Sequence, residues 1–184
     1  VHGRMKRMTL STLSSVRPSG IIAINLSDND ELGWARLTTG NDDIILVTKQ
    51  GQALRFNESQ LRPMGRTGAG VRGIKLTGDD SLTSMEVVEP EGALLVITSN
   101  GFGKRTLLDK YSSSRRGNKG VATTSKKMID TIGLIASARV VQESDDVTII
   151  SANGQVMRAK VKKLRLAGRA TKGVKLMGIK NGDR

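Results

Sequence analysis

The sequence predicts an all-β protein made of about four propeller-like blades, because it contains an internal repeat with a period of 50 to 53 residues. Each repeat has a glycine that ends a β-rich run, an arginine four residues later, and a second glycine 19 residues after the first. In three repeats these residues are Gly51, Arg55 and Gly70; Gly101, Arg105 and Gly120; and Gly154, Arg158 and Gly173. Gly3, Arg7 and Gly20 continue the pattern upstream, with a loop two residues shorter. We therefore predict one domain, 1–184, with repeats at 1–41, 42–91, 92–144 and 145–184.

Each full repeat is expected to supply four strands. Runs such as "DIILVTKQG" predict a buried first strand, and Asn100-Gly101 and Asn153-Gly154 predict type I′ hairpin turns after it. A second strand and a long loop follow. A third strand at 70–76, an acidic turn at 77–80 and a fourth strand at 81–88 complete the unit.

The two ends of the repeat array are incomplete. The first repeat lacks its opening strand, and the last stops at Arg184 without a fourth strand. We expect either that the chain is the C-terminal portion of a longer array or that neighbouring repeats supply the missing strands.

Composition argues against several classes of catalytic and metal site. The chain has no cysteine and a single histidine, His2, which disfavours thiolate zinc sites, thiol nucleophiles and a Ser-His-Asp triad. The absence of cysteine is typical of a cytosolic protein, and no apolar run is long enough for a transmembrane helix. We expect no catalytic residue, no metal and no cofactor.

Three features that resemble parts of active sites have simpler interpretations. Tyr111 is expected at a strand end or in a loop. The run "SDNDE" (27–31) has calcium-like carboxylate spacing but lacks the full EF-hand loop, which favours an inter-strand turn. The glycine-rich loops contain no Walker A pattern. Outside these three features, Trp34 is expected to pack between strands.

Charge is segregated in phase with the repeat. The net charge is +13, and the stretches 3–26, 51–76, 101–127 and 154–176 hold 25 of the 30 basic residues but only two acidic residues, Glu58 and Asp109. The second strand of a repeat alternates, which puts Arg158 and Lys160 on one face. Equivalent patches on successive blades form a basic stripe, which suits duplex DNA bent around the rim and held through its phosphates.

Basic residues of this stripe are predicted to contact DNA. They are Arg7, Arg55, Arg66, Arg72, Lys104, Arg105, Arg115, Arg116, Lys119, Arg158, Lys160, Lys163, Arg165, Arg169 and Lys172. No recognition helix is evident and aromatic residues are scarce, so sequence-specific readout and base stacking are disfavoured. The alternative from another functional class is a propeller-like scaffold whose charged rim binds an acidic protein or a lipid surface.

Three stretches carry a resemblance to a known family: "SGIIAINLSDNDELGWARL" (19–37), "LRPMGRTGAGVRGIKL" (61–76) and "AGRATKGVKLMGIKNGD" (167–183). The chain resembles the C-terminal domain of the A subunit of bacterial DNA gyrase and of its relative topoisomerase IV. The resemblance implies a β-pinwheel, a propeller variant whose blades exchange strands and whose outer rim wraps duplex DNA. The family's domain usually has more than four blades.

The resemblance also implies a cellular role. The domain would be an accessory part of an ATP-dependent type IIA topoisomerase whose active site lies elsewhere, supporting supercoiling in the bacterial cytoplasm at the nucleoid. Its partners would be DNA, the rest of the gyrase A protein, and the gyrase B protein in an A2B2 assembly, with no membrane partner.

The stretch "SRRGNKG" (114–120) occupies the place of the family's gyrase-A box, whose usual form is QRRGGKG. Ser114 and Asn118 depart from that form, whereas Arg115, Arg116, Gly117, Lys119 and Gly120 match it. Asparagine tolerates positive φ better than most residues, so we expect the loop shape to survive. Two interpretations stay open: a working box, or a relic that makes an ordinary rim contact while an intact copy lies upstream of Val1. The loops "GRTGAG" (65–70) and "GRATKG" (168–173) are variants in other blades.

Overall fold

The computed structural model describes residues 1–180 and 183, and this part of the chain is built from short antiparallel strands. The strands are β1 (Arg4–Met5), β2 (Asp43–Thr48), β3 (Gln52–Asn57), β4 (Val71–Arg72), β5 (Leu82–Val87), β6 (Ala93–Thr98), β7 (Phe102–Leu107), β8 (Val121–Ala122), β9 (Ile135–Val141), β10 (Asp146–Ile150), β11 (Val156–Lys160) and β12 (Val174–Lys175). One α-helical turn, α1 (Ile129–Ile132), and the 3-10 segments Leu10–Leu13, Glu58–Gln60, Leu108–Lys110, Lys126–Met128 and Val161–Lys163 join them. The predicted all-β class is confirmed.

Two complete blades are four-stranded sheets that each mix two repeats. Their strand orders are β5-β2-β3-β8 and β9-β6-β7-β12. In both sheets the short edge strand, β8 or β12, comes from the repeat after the hairpin with which it pairs. The exchange of strands between blades, which the family resemblance implied, is therefore present.

The first and last repeats form smaller sheets within the described residues. β1 pairs with β4 of the second repeat, and β10 pairs with β11. The run 27–31 does form a turn, in which Asn29 has a φ of 61° and the Asp30 amide donates to the Ser27 carbonyl. The expectation that this turn joins two strands is wrong, because the residues on either side of it, 21–27 and 30–39, do not form strands.

The type I′ prediction for the hairpin turns is also wrong. Such a turn needs positive φ at both central residues, but Asn100 and Asn153 are not in that region, whereas Gly101 and Gly154 have φ of 78° and 83°. Each hairpin closes over three residues, and the glycine amide donates to the residue three before it, as in Gly101 to the Thr98 carbonyl at 2.9 Å. Because the loop has three residues rather than the two of a type I′ hairpin, only the glycine adopts the left-handed conformation.

The third strand is much shorter than the predicted 70–76. β4 covers only Val71–Arg72, because the next two amides, those of Gly73 and Ile74, both point at the single carbonyl of Gly3 and end the ladder. The fourth strand agrees with prediction, since β5 covers Leu82–Val87 within the expected 81–88.

The main core lies between the two complete blades. Ile45 of β2 and Leu94 of β6 are fully buried in one cluster with Tyr111, whose hydroxyl shares a hydrogen bond with that of Thr123. Tyr111 therefore lies in a loop, as predicted, and its side chain is part of the buried core. Trp34 is half-buried and packs against the cluster around Phe56, which includes residues of β2, β3 and β5.

Strand exchange brings backbones together at the second glycine of the second, third and fourth repeats. Gly70, Gly120 and Gly173 have φ between 73° and 82°. A Cβ at Gly70 or Gly173 would lie 2.5 Å from the carbonyl oxygen of Met5 or Gly103, and a Cβ at Gly120 would overlap the carbonyl of Ala53. Only glycine permits both the conformation and the contact.

Alanine substitutions should separate these two requirements. Gly120→Ala should lower the free energy of unfolding by about 2–5 kcal/mol, since it adds overlap to backbone strain. Gly20→Ala, where φ is 78° and no atom lies within 4 Å, should cost only about 1–2 kcal/mol. Gly65→Ala, which has neither problem, should change stability by less than about 0.5 kcal/mol. Urea unfolding of the three variants gives the order, and equal effects at Gly120 and Gly65 would contradict the exchange argument.

Candidate nucleic-acid interface

Three equivalent loops lead into the exchanged strands and carry much of the predicted site. We call residues 65–70, 115–120 and 168–173 the exchange loops; they precede β4, β8 and β12. The residue four before the final glycine is arginine in each loop, and all three arginines, Arg66, Arg116 and Arg169, are half-buried. Because β8 and β12 are edge strands, these loops lie at the edges of the blades.

The 115–120 loop is bound to the preceding blade mainly through its backbone. Gln60 acts as a fork: its amide nitrogen donates to the Ser114 carbonyl at 3.0 Å, and its amide oxygen accepts from the Arg116 amide at 2.8 Å. The Gly117 amide donates to the Gly73 carbonyl at 2.7 Å. The Arg116 side chain donates to the Arg72 carbonyl, while Arg115 and Lys119 are exposed to solvent.

The role expected for Asn118 in this loop is wrong. Positive φ falls on Gly117, at 80°, and Asn118 is not in that region. Its carbonyl instead accepts from the Lys75 amide at 2.9 Å. Asparagine is tolerated at 118 because the left-handed position is one residue earlier.

Eight of the predicted DNA-contacting residues are exposed. These are Arg72, Arg115, Lys119, Arg158, Lys160, Lys163, Arg165 and Lys172. Arg158 and Lys160 alternate with half-buried residues on β11 and share its exposed face, as predicted. Arg158 forms an ion pair with Asp146 at 2.8 Å, and the other seven have no ion pair within the described residues.

The structure places the arginines of the first three repeats between blades, which corrects the expectation that they face outward. Arg105 is only 8% exposed; its Nε donates to the Leu164 carbonyl at 3.0 Å, and its guanidinium pairs with Glu143 at 2.9 Å. Arg55 pairs with Asp43 and donates to the Leu108 carbonyl at 3.0 Å. These arginines satisfy the carbonyls of the 3-10 segment in the next repeat, a position that a sequence pattern cannot distinguish from a rim contact.

Arg7 also has a side chain that contacts another repeat, but through different partners. It donates to the Gly40 carbonyl at 2.9 Å and approaches the Glu58 carboxylate at 3.4 Å. Glu58 is buried; burial raises its pKa, but hydrogen bonds from the Asp42 amide, the Thr38 hydroxyl and the Gly40 amide lower it below its ordinary value. Glu58, one of the two acidic residues in the basic stretches, therefore has a structural role. Because it is buried, it does not place a negative charge on the surface of the basic stripe.

Lys104 is likewise not on the surface, contrary to prediction. It is 2% exposed, and its Nζ donates to the carbonyls of Gly168 and Arg169 and, at 3.3 Å, to the Thr171 hydroxyl. Burial, followed by the charge of Arg169, lowers the pKa of Lys104 to about 8. The lysine thus holds an exchange loop in place.

Several exposed cations were not among the predicted contacts. Arg62, Lys75, Lys126, Lys127, Lys162 and Lys175 are exposed and lie in the same basic stretches. Charge segregation alone could have included them. Gln60 was missed because it is uncharged and far from the loop in sequence.

Several acidic side chains gather in one groove. A groove of about 880 Å³ between the second and third repeats has five carboxylates and one arginine among the residues that line it. The carboxylates are Asp42, Asp43, Glu89, Glu91 and Asp109. Within the described residues no group of three or more His, Asp or Glu side chains is placed to hold a metal ion. No helix in the same part of the chain has the length and apolar character needed to cross a membrane.

Replacing equivalent arginines should affect stability unequally. Arg105→Ala leaves buried carbonyls without donors and should lower the free energy of unfolding by about 2–4 kcal/mol. Arg158→Ala removes an exposed ion pair and should change it by less than about 0.5 kcal/mol. Denaturant unfolding of both variants measures the difference, and similar losses would contradict the assignment of Arg105 as an interblade tie.

Removing the Gln60 fork should loosen one specific amide. In Gln60→Ala, amide hydrogen exchange at Arg116 should accelerate, because its acceptor is lost. Exchange at Gly117, whose acceptor is the Gly73 carbonyl, should change far less and provides the internal control. Equal acceleration at both amides would mean that the whole loop opens together.

The comparisons with known proteins agree with this architecture. A family described as the DNA gyrase C-terminal domain, beta-propeller, matches residues 1–38, 42–89, 93–141 and 145–184. The chain is 42% identical to the A subunit of DNA gyrase from Mycolicibacterium smegmatis, across 99% of this chain and 22% of that protein. It is 41% identical to the A subunit of DNA gyrase from Salmonella typhimurium, across 95% of this chain and 20% of that protein. The chain therefore spans about a fifth of the length of these relatives.

Solved structures show the same fold. The C-terminal domain of DNA topoisomerase IV superposes with a TM-score of 0.91 at 26% identity, covering 96% of this chain and 55% of that one. The DNA gyrase A C-terminal domain superposes with a TM-score of 0.88 at 27% identity, covering 98% and 60% respectively. The repeat, the exchanged strands and the family match together show that the chain belongs to the DNA gyrase C-terminal domain family.

Proposed function

We propose that this chain binds duplex DNA without sequence specificity and bends it along the basic stripe. The observation that carries the proposal is that seven of the predicted contact residues, all in the basic stretches of the repeat, are exposed and have no ion pair within the described residues. Cations that are not neutralised by the protein are available to phosphates, and each phosphate contact releases counterions. Duplex DNA is the polyanion that evenly repeated patches suit best.

Bending is supported by the repetition itself. Bending a 20–30 base-pair site by 40–90° costs on the order of 1–6 kcal/mol. Patches on successive blades offset that cost because each adds phosphate contacts only if the duplex follows the array. Any sequence preference then reflects deformability rather than base contacts.

The wider role follows from the relatives. Because the chain resembles about a fifth of the gyrase A protein, we propose that it is an accessory module of a type IIA topoisomerase, supporting supercoiling while the cleavage chemistry lies elsewhere. Its proposed partners are the remainder of gyrase A and gyrase B, in an A2B2 assembly. We place this assembly in the cytoplasm, at the nucleoid. Gyrase is favoured over topoisomerase IV because the curated relatives that match at 41–42% identity are gyrase proteins.

Arg115 and Lys119 of the 115–120 loop belong to the proposed contacts. The loop is held by backbone bonds and by Gln60, so its two exposed cations are presented from a fixed support. This arrangement suits both a working gyrase-A box and an ordinary rim contact. In either case the loop would contribute to bending.

A salt titration tests the proposal. If the stripe neutralises about 6–10 phosphates, affinity for a duplex should fall about 10³–10⁵-fold between 50 and 200 mM salt. Arg115→Ala/Lys119→Ala should reduce the slope of log affinity against log salt concentration by about 2, since each contact contributes about 0.9. Filter binding or fluorescence anisotropy measures both effects.

The matched control is Lys49→Ala/Lys180→Ala, which removes two exposed lysines outside the basic stretches and should leave the slope unchanged. Equal slopes for the two double variants would argue against a localised stripe. A flat salt response in the wild type, together with binding to an acidic protein, would support the scaffold alternative.

A further inference from the structure

Two lysines at equivalent places in the repeat donate hydrogen bonds to exchange loops. Lys6 and Lys104 each stand three residues after the first glycine of their repeat. Lys6 Nζ donates to the carbonyls of Gly65, Arg66 and Gly68, at 2.8, 2.5 and 3.2 Å. Lys104 makes the corresponding contacts with loop 168–173. We call this arrangement the lysine clasp.

The clasp uses all the hydrogen-bonding capacity of the ammonium group. Lys104 has three donors, and the carbonyls of Gly168 and Arg169 and the Thr171 hydroxyl accept them. Lys104 has no carboxylate partner within the described residues, so neutral dipoles alone stabilise its buried charge. Burying a charge with neutral acceptors is costly, which argues that the lysine is retained for the loop it holds.

The fold itself does not require a lysine at this place. Leu54 and Met157 occupy the equivalent positions in the other two repeats. Leu54 is buried under loop 115–120, which is bound instead by Gln60 and by the Arg116 side chain. A hydrophobic side chain is therefore compatible with the blade, and the clasp is specific to the loops at 65–70 and 168–173.

We propose that Lys104 is a positioning residue for DNA binding: it holds loop 168–173 so that Arg169 and Lys172 meet the phosphates, and does not touch DNA itself. Lys6 does the same for loop 65–70 and Arg66. The inference rests on the proposed function. It predicts that an uncharged substitution at a residue buried from solvent lowers the number of phosphate contacts.

The geometry links the clasp to the contact residues directly. Lys104 is buried from solvent, yet it bonds the carbonyls of Gly168 and Arg169, and Lys172 follows within the same loop. The lowered pKa of Lys104 is in line with a buried cation that lies close to Arg169. Phosphates bound at Arg169 would reduce the repulsion between the positive charges of Arg169 and Lys104. Phosphate binding and the hydrogen bonds of Lys104 to the loop would therefore stabilise each other.

The first measurement needs no DNA. Lys104→Met introduces the residue that the fourth repeat carries at this position, so the blade should fold. Trypsin cleavage after Arg169 and Lys172 should accelerate about tenfold or more, because the loop loses its support. Leu54→Met is the matched control, since it changes the equivalent position without removing a clasp, and it should leave these cleavage rates unchanged. Unaltered cleavage in Lys104→Met would overturn the clasp.

The second measurement is a double-mutant cycle on duplex binding. Lys104→Met and Arg169→Ala/Lys172→Ala should each reduce the salt slope, the latter by about 2. Combining them should add nothing further, because Lys104 acts only through those two residues. Additive losses, or an unchanged slope in Lys104→Met, would overturn the positioning role.

Two further outcomes are distinguishable. If Lys104→Met does not fold, Lys104→Leu introduces the residue that the second repeat carries, buried, at this position and should show the same effects; no effect would overturn the proposal. If the wild type does not bind duplex DNA, the proposed function and the positioning role both fail, while faster cleavage in Lys104→Met would still identify the clasp.

Discussion

The close approach of backbones at the exchange glycines is the constraint on which the rest of the structure depends. Gly120 lies against the Ala53 carbonyl, and Gly70 and Gly173 lie against those of Met5 and Gly103. These contacts let a strand from one repeat complete the sheet of the repeat before it. Each blade is therefore finished only when its successor folds, which couples neighbouring repeats more tightly than side-chain packing alone.

The same exchange decides what the cations do. Crossing from one blade to the next leaves loop and 3-10 carbonyls without partners in their own repeat, and buried carbonyls need donors. Arg105 and Arg55 satisfy those of the 3-10 segments, and Lys104 satisfies those of an exchange loop. The basic character of the repeat thus serves two purposes: part of it joins blades, and the exposed remainder is available to a polyanion.

Much of the fold could be predicted because glycine spacing and strand patterns are local properties. The position of β5 and the all-β class followed from them. The hairpin turns did not, because Asn-Gly suits several turn types and the choice depends on how many residues separate the paired strands. The length of β4 also escaped prediction, since it is set by a single carbonyl of Gly3 more than 60 residues away in sequence.

The candidate site shows the division most clearly. The sequence by itself determined that cations recur in phase with the repeat, and which loops carry glycine and arginine, since both are read from spacing and composition. Only the tertiary structure decided which cations reach solvent. Lys104 and Lys119 look alike in the sequence, yet one is buried among carbonyls and the other is exposed. The physical reason is that a buried ammonium group needs hydrogen-bond acceptors that have no other donor. Strand exchange positions such acceptors through contacts between residues distant in sequence.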